Sequence, residues 1–404
     1  MEMEGKAMKK KRDWSQMPKD IVEMFYKQLA IPDQVGFSKV CKAWHSSTSN
    51  KAKLHVPDTP WLITNDDTSS LFKIFSSTHR KTYKILKPFK PSGGSFIAGS
   101  FKGWLVIRSP VKVFILNLFS KFRIELPPQT TMPDFLKPKR DKPIVSDFPL
   151  VFAISTCESL NPVTVAAATF CGDLVWCKIG DRDWKGYSGD DQYRNLTFHN
   201  DKLYAITQDG IKIDTFRVDE SESRVLLKVG SITCPSASVA LSDHVDMYLV
   251  ESNKSLLVLK RYYERSRIQG PTIGFDVFKV QENSEVVNVN GLGDQALFVS
   301  DLNCESVAFK ECPQMLEADR IYFIGHSANG MVSELGVFSV KDKCLRFRVP
   351  LVESTMISPI WVLPRFPFAC DCKSHGSSSK RKRATMFKAC ASFLGVFWIF
   401  SMLE

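Results

Sequence analysis

The sequence lacks most of what marks a secreted, disulfide-built or metal-bearing protein. No apolar segment with a cleavage site follows Met1; the chain opens polar and charged, with Lys9-Lys10-Lys11-Arg12. Its 11 cysteines are an odd number scattered without a framework, which argues against a disulfide scaffold and for a reducing nucleus or cytoplasm. Asn195-Leu196-Thr197 and Asn253-Lys254-Ser255 match the glycosylation pattern but carry no weight without a secretory signal. The 7 histidines are dispersed, none paired at metal-ligand spacing on a helix. Charge of one sign is also missing where it would matter. The formal net charge is +11, yet residues 1–56 hold eleven Lys/Arg against six Asp/Glu and residues 373–404 six against one. The remaining body, 57–372, carries 37 against 36 and offers no broad phosphate-binding face, so no nucleic-acid partner is expected. No long amphipathic helix interrupts residues 57–365, which excludes an α/β fold with crossover helices.

What is present divides the 404 residues into a small helical module and a large β body. A hydrophobic content of 44% with 11% aromatic residues is that of a globular chain. Residues 1–12 read as a basic tail. From Met17 the pattern turns helical: Pro18 suits a first turn, and Ile21, Val22, Phe25 and Leu29 share one face. Pro32 breaks this pattern, and Asp33 is placed to cap a second helix carrying Val35, Phe37, Val40, Cys41 and Trp44. About forty residues with two or three short helices cannot bury their apolar faces alone, so the module needs a partner.

Trp14-Ser15-Gln16-Met17-Pro18-Lys19-Asp20-Ile21-Val22, followed by Leu29, Asp33, Phe37 and Val40-Cys41-Lys42-Ala43-Trp44, resembles the F-box. That family has a Leu-Pro pair before its first helix and a Val-Cys-Lys-x-Trp ending. Met17 replaces the Leu, a volume-conserving change, and His45 stands where Arg is commoner. The resemblance implies docking on the Skp adaptor of a cullin–RING ubiquitin ligase. The apolar anchors it implies are Met17, Pro18, Ile21, Phe25, Leu29, Val40 and Trp44, some of them shared with internal packing.

After Pro57 the sequence breaks into short β-rich runs, including Trp61-Leu62-Ile63, residues 71–75, residues 103–107, residues 202–206 and residues 321–324. Turn signals such as His199-Asn200-Asp201 and Gln208-Asp209-Gly210 punctuate them. An all-β sandwich pair or a propeller is indicated, and at roughly 42–50 residues per blade the length gives six or seven blades. Gly99-Ser100-Phe101-Lys102-Gly103-Trp104-Leu105, Ile124-Glu125-Leu126-Pro127-Pro128, Lys178-Ile179-Gly180-Asp181 with Trp184, residues 198–205 and residues 291–298 together resemble a plant F-box family. Its C-terminal domain is kelch-like and carried as a domain of unknown function. The expected organisation is therefore a basic tail (1–12), a small α-helical F-box (13–56), a six- or seven-bladed β-propeller (57–368) and a tail (369–404).

Motifs of catalysis find blander explanations. Gly291-Leu292-Gly293-Asp294-Gln295-Ala296 fits a dinucleotide fingerprint, but the strand-like Leu297-Phe298-Val299-Ser300 follows where a helix is required. Gly325-His326-Ser327-Ala328-Asn329-Gly330 has one residue too many for a nucleophile elbow and sits between strands. Cys370-Asp371-Cys372 with His375 falls short of a four-ligand zinc site. Asp66-Asp67 and Asp190-Asp191 read as solvated turns, and Cys171 and Cys177 as small core residues. No catalytic residue, cofactor or metal is expected. The resemblances imply a ligase substrate receptor whose target protein the sequence does not name. The alternatives are a propeller acting as a ligand sensor or scaffold outside a ligase, or a propeller hydrolase or lectin.

The C-terminal tail sets its own question. Ser-rich residues 374–379 lead to Lys380-Arg381-Lys382-Arg383, which reads either as a nuclear localisation signal or as a solvated tail. The apolar run 389–403 is then a tail anchor, a segment that packs on the propeller or an unusual gene end. At about 1.5 Å per residue it reaches only about 22 Å of a roughly 30 Å hydrocarbon core. The expected outcome is a chain that stays in the nucleus or cytoplasm and is soluble after carbonate extraction, with removal of residues 386–404 lowering stability. A carbonate-resistant membrane pellet that the truncation abolishes identifies an anchor instead.

Overall fold

The computed structural model describes residues 13–29, 31–49, 59–65, 69–76, 81–87, 95–109, 112–133, 151–157, 162–169, 172–219, 225–234, 245–264, 270–309, 316–326, 332–352 and 359–364. The tails 1–12 and 365–404, with the basic cluster, the apolar run and Cys370, Cys372 and His375, lie outside them, as do Asp66, Asp67, Cys171 and residues 327–330. Pro57–Asp371 forms one compact unit, and the helical module lies in another.

In the helical module Asp13 accepts hydrogen bonds from Ser15 N (3.0 Å) and Ser15 Oγ (2.6 Å), capping a single tight turn at Trp14–Gln16. Pro18 then leads into α1 (Lys19–Gln28), which ends at the extended Leu29. The sequence places Asp33 as the cap of a second helix that carries Val35, Phe37, Val40, Cys41 and Trp44. The structure has two, α2 (Ile31–Phe37) and α3 (Lys42–Ser49), and Asp33 lies in the first turn of α2 instead of capping it. Pro32 is accommodated in that first turn because its missing N–H has no intrahelical partner to lose. After Phe37 the backbone tightens, with Lys39 N donating to Gly36 O and Val40 N to Phe37 O, and this break places Val40 between the helices.

The β unit is a six-bladed propeller. Blade 1 contains β1 (Trp61–Asn65), β2 (Leu71–Ser76) and β3 (Lys81–Leu86). It is completed by the last described strand, β25 (Ile360–Val362), which pairs antiparallel with β1 so that Leu62 lies opposite Trp361. Blade 2 runs β4 (Phe96–Phe101), β5 (Trp104–Arg108), β6 (Val113–Asn117), β7 (Arg123–Glu125). Blade 3 follows with β8 (Val151–Thr156), β9 (Pro162–Ala168), β10 (Leu174–Lys178), β11 (Lys185–Gly186). Blade 4 is β12 (Tyr193–His199), β13 (Lys202–Thr207), β14 (Lys212–Val218), β15 (Leu226–Thr233), and blade 5 is β16 (Val245–Ser252), β17 (Ser255–Tyr263), β18 (Thr272–Val280), β19 (Val286–Asn288). Blade 6 departs from the plain meander. β20 (Gln295–Ser300) turns into the innermost β21 (Asn303–Ala308), and the chain returns on the other side of β20 as β22 (Arg320–His326), parallel to it. β23 (Val332–Ser339) and β24 (Cys344–Val352) complete the sheet.

Strands β25, β4, β8, β12, β16 and β21 pack successively against one another as the inner ring. Strands β5, β6 and β20 are buried on both faces, which is why they read as unbroken apolar runs, whereas β2 of blade 1 alternates buried and exposed residues. In β8 Phe152 and Ile154 enter the core shared with blade 2, while Ala153 enters the core shared with blade 4. There Ala153, Ala166 and Ala168 leave room for Tyr193 and Phe216, small side chains meeting large ones at close packing. Gly291–Ala296 leads straight into β20 and not into a helix, and Gly325-His326 are the end of β22. Cys177 is fully buried on β10.

Closure rests on the short β25. Asn303 Nδ2 donates to Trp361 O (3.0 Å), and Phe298 meets the Trp361 ring edge-on at 5.2 Å, tying blade 6 to the strand that completes blade 1. Trp361→Ala is expected to lower unfolding free energy by about 3–5 kcal/mol. Asn303→Ala, which orphans a buried carbonyl, is expected to lower it by about 1–3 kcal/mol. The exposed Asn288→Ala control should stay within about 0.5 kcal/mol. Thermal and denaturant unfolding check all three.

Candidate functional site

Two sets of residues stand out, one in each unit. In the helical module the sequence spacing separates an inner from an outer apolar set. Val22 is buried, and Trp44 stacks on Phe37 with ring centroids 4.3 Å apart while its Nε1 donates to Trp14 O (3.1 Å). Gln34 is buried too, its Nε2 donating to Leu29 O (2.9 Å). Outward stand Ile21, Met24 and Phe25, 39–48% exposed at i, i+3 and i+4 of α1, together with Trp14 and Val40, each 60% exposed. Of the seven anchors the sequence picks out, Ile21, Phe25 and Val40 are therefore exposed apolar groups, and Pro18 is exposed beside them. Met17, Leu29 and Trp44 are half-buried, and Trp44 is engaged in internal packing. Trp14 and Met24 were not among the seven; the i+3 spacing from Ile21 is the signal that finds Met24.

In the propeller the inner strands converge on a charged cluster. Two-residue turns at Lys102-Gly103, Asn200-Asp201 and Asn253-Lys254, all with positive φ, reverse the chain after β4, β12 and β16. From the first turn Lys102 Nζ donates to Glu251 Oε2 (3.0 Å), and Lys102 N donates to Glu305 Oε1 (2.6 Å). Blades 2 and 5 are opposite in a ring of six, so the Lys102–Glu251 pair crosses the propeller axis. His199 Nδ1 lies 3.3 Å from Glu251 Oε1, and its Nε2 lies 3.1 Å from Asn200 Nδ2. The His199 hydrogen bond, joined by the Lys102 charge, holds the Glu251 carboxyl down to about 2 against burial that pushes it up. Ser252 Oγ and Ser306 Oγ, 2.8 Å apart, and Asn195 Oδ1, accepting from Leu249 N (3.0 Å), fasten neighbouring inner strands below the cluster. Lys102 and His199 fall within the stretches that carry the family resemblance. Glu251 and Glu305 do not, and only the fold places them beside those residues.

A second buried network joins blades 5 and 6. Arg261 Nε donates to Thr272 Oγ1 (2.8 Å), and Nη2 lies 3.2 Å from Glu334 Oε1, which also accepts from Thr272 N (2.8 Å) and Thr272 Oγ1. Tyr248 donates its hydroxyl to Asp301 (2.8 Å), and burial raises its phenol well above the usual range. Gly325 lies so close to the Arg261 guanidinium that a Cβ has no room. The carboxylate of Glu334 is engaged by Arg261 and Thr272, while Arg261 Nη1, buried and without a hydrogen bond, lies 3.6 Å from Asp246 Oδ2. Among the described residues no three His, Cys, Asp or Glu side chains could hold a metal ion, and no helix is long and apolar enough to cross a membrane.

The cluster at the axis makes an acid-sensitive contribution to stability. A carboxyl whose folded-state value is depressed stabilises the fold above its ordinary value and loses that contribution as pH falls towards the depressed one. Glu251→Gln is expected to be less stable than wild type by about 1–3 kcal/mol at neutral pH. The difference should shrink between pH 4.5 and about 2, and denaturant unfolding across that window checks it.

Comparison with known proteins is consistent with this architecture. Residues 14–55 match the F-box domain, and residues 60–339 match the KIB1-4 beta-propeller. F-box protein SKIP23 of Arabidopsis thaliana is 22% identical over 372 residues, covering 82% of this chain and 88% of its own length. F-box protein At5g25290 of the same plant is 24% identical over 405 residues, covering 87% and 96%. A crystal structure of a protein from Lactobacillus plantarum aligns with 75% of this chain and all of its own at a TM-score of 0.40 and 11% identity. The helical module is an F-box, the six blades are those of the KIB1-4 propeller, and the chain belongs to the plant F-box proteins built from these two domains.

Proposed function

We propose that this chain is a substrate-receptor subunit of an Skp–cullin–F-box ubiquitin ligase. An F-box implies partnership with an Skp adaptor and a cullin–RING ligase in general, and F-box proteins are generally non-catalytic adaptor subunits. The observation that carries the reading is the outward apolar set Ile21, Met24, Phe25 and Val40, on a module too small to cover it. The adaptor takes that set, while Val22, Phe37 and Trp44 keep the helices together. The propeller holds a target protein, and the ligase's ubiquitin-loaded partner acts on it by proximity, so this chain needs no reacting group of its own. The ion pair across the axis supports a target bound on the outside of the propeller in preference to one threaded through it.

Val40 and Ile21 are exposed, so charged replacements there leave the module's own core intact. Val40→Asp and Ile21→Asp are expected to weaken capture of the Skp adaptor by about 30-fold or more, since each buries an unpaired carboxylate in the interface. Undiminished capture by both variants, with the helical module still folded by circular dichroism, removes the basis of the assignment.

A further inference from the structure

The outermost strand of each blade exposes a row of unpaired backbone groups, and propellers keep such edges short or charged. Here β7, β11 and β19 are two or three residues long. The longer β3 carries the exposed Lys81 and Lys84, and β24 carries Arg346, Arg348 and Pro350. Strand β15 has the least of these protections. It is eight residues long, contains no proline, and has a single charge in Lys228. That charge is held by Asp214 at 2.7 Å and Asp191 at 2.9 Å. Leu227 and Val229, with Val225 immediately before the strand, stand 41–50% exposed. Among the described residues β15 pairs with β14 alone.

Charge next to this edge points to what covers it. Arg217 on β14 is the cross-strand neighbour of Leu227, is exposed, and has no ion pair among the described residues. Lys212 lies opposite Thr233 at the other end of the strand. A bulge at Val229 leaves Leu226–Lys228 and Gly230–Thr233 as the regular stretches where a new strand could find its register. We propose that β15 is a docking edge, to which the target protein adds an extended segment with alternating apolar residues and a carboxylate facing Arg217. Main-chain hydrogen bonds supply affinity in such additions, and alternate side chains supply specificity. This deepens the ligase reading by naming where, and through what chemistry, the target is held.

The test pans a library of displayed random peptides, about ten residues long, on the full chain. Enriched peptides are expected to alternate apolar residues with at least one Asp or Glu. They should bind Leu227→Lys at least tenfold more weakly, and Arg217→Glu should shift the selection towards Lys- or Arg-bearing peptides. Both variants are surface changes expected to unfold within about 0.5 kcal/mol of wild type. Both should capture the Skp adaptor as wild type does, so a failure here leaves the ligase reading standing; if Val40→Asp fails to weaken adaptor capture, the edge is still judged on its peptides. Absence of an enriched class, or peptides indifferent to both substitutions, overturns the proposal. So does a concentration-dependent dimer of the wild-type chain that Leu227→Lys abolishes, because the occupant is then a second copy.

Discussion

The central strands of most blades bury apolar side chains on both faces, so such a blade is not stable without a neighbour on each side. Strands β2 and β3 of blade 1, with Lys73, Lys81 and Lys84 exposed, are the exception. That requirement governs the rest of the unit. A row of such sheets has two unsatisfied ends, and the ring is the arrangement that removes both. The chain meets it by spending its last described strand, β25, on the first blade, where Trp361 and Asn303 join blades 6 and 1. Three residues suffice because the pairing is reinforced from the neighbouring core: Ile360, Val362 and Leu363 are all fully buried.

Apolar burial is not directional, and the inner ring shows how a unique register is imposed on it. Side chains of Asn195, Ser252, Asn303 and Glu305 each bond to a different blade, and Lys102 and Glu251 span the axis. Slipping one strand by a residue would turn these groups towards apolar neighbours and leave them unpaired. The polar bonds therefore act less as a source of stability than as a selection among packings of similar hydrophobic content. The irregular sixth blade fits the same logic. Its β20–β21 hairpin delivers Glu305 and Ser306 to the ring while β22, parallel to β20, carries the blade outwards.

The sequence made some of this legible and concealed the rest for physical reasons. Local periodicity exposed the F-box and strands such as β5, β13 and β22, because those signals lie within a few residues. Strand β9, with Ala166-Ala167-Ala168, hides because alanine has a poor β propensity and is selected there by Tyr193 and Phe216 across the interface. The split between α2 and α3 is hidden because Phe37, Val40, Cys41 and Trp44 keep helical spacing across it. The start of α2 is hidden because Pro32 reads as a breaker yet is tolerated one residue into the helix. Six blades instead of seven could not be counted, since blade 6 has five strands and blade 1 borrows one from the chain's far end. The axial cluster is the extreme case: Lys102 meets Glu251 and Glu305 across 149 and 203 residues of sequence, beyond any spacing rule.

The helical module poses the opposite problem. With so few apolar positions, each must serve either cohesion or docking, and the structure divides them by angle around α1. Val22 faces inward, while Ile21, Met24 and Phe25 face outward. Sequence pattern gives the apolar positions without saying which side each serves, since a stripe that binds a partner and a stripe that packs at home look alike. Aromatic stacking breaks the symmetry. Phe37 and Trp44 occupy each other, and the Trp44 Nε1 is spent on the Trp14 backbone, so neither Phe37 nor Trp44 is fully available to a partner. What remains outward is Ile21, Met24 and Phe25 on α1, and Val40, the residue released by the break between α2 and α3. The break that the sequence conceals is thus what turns Val40 from a helix residue into a surface one.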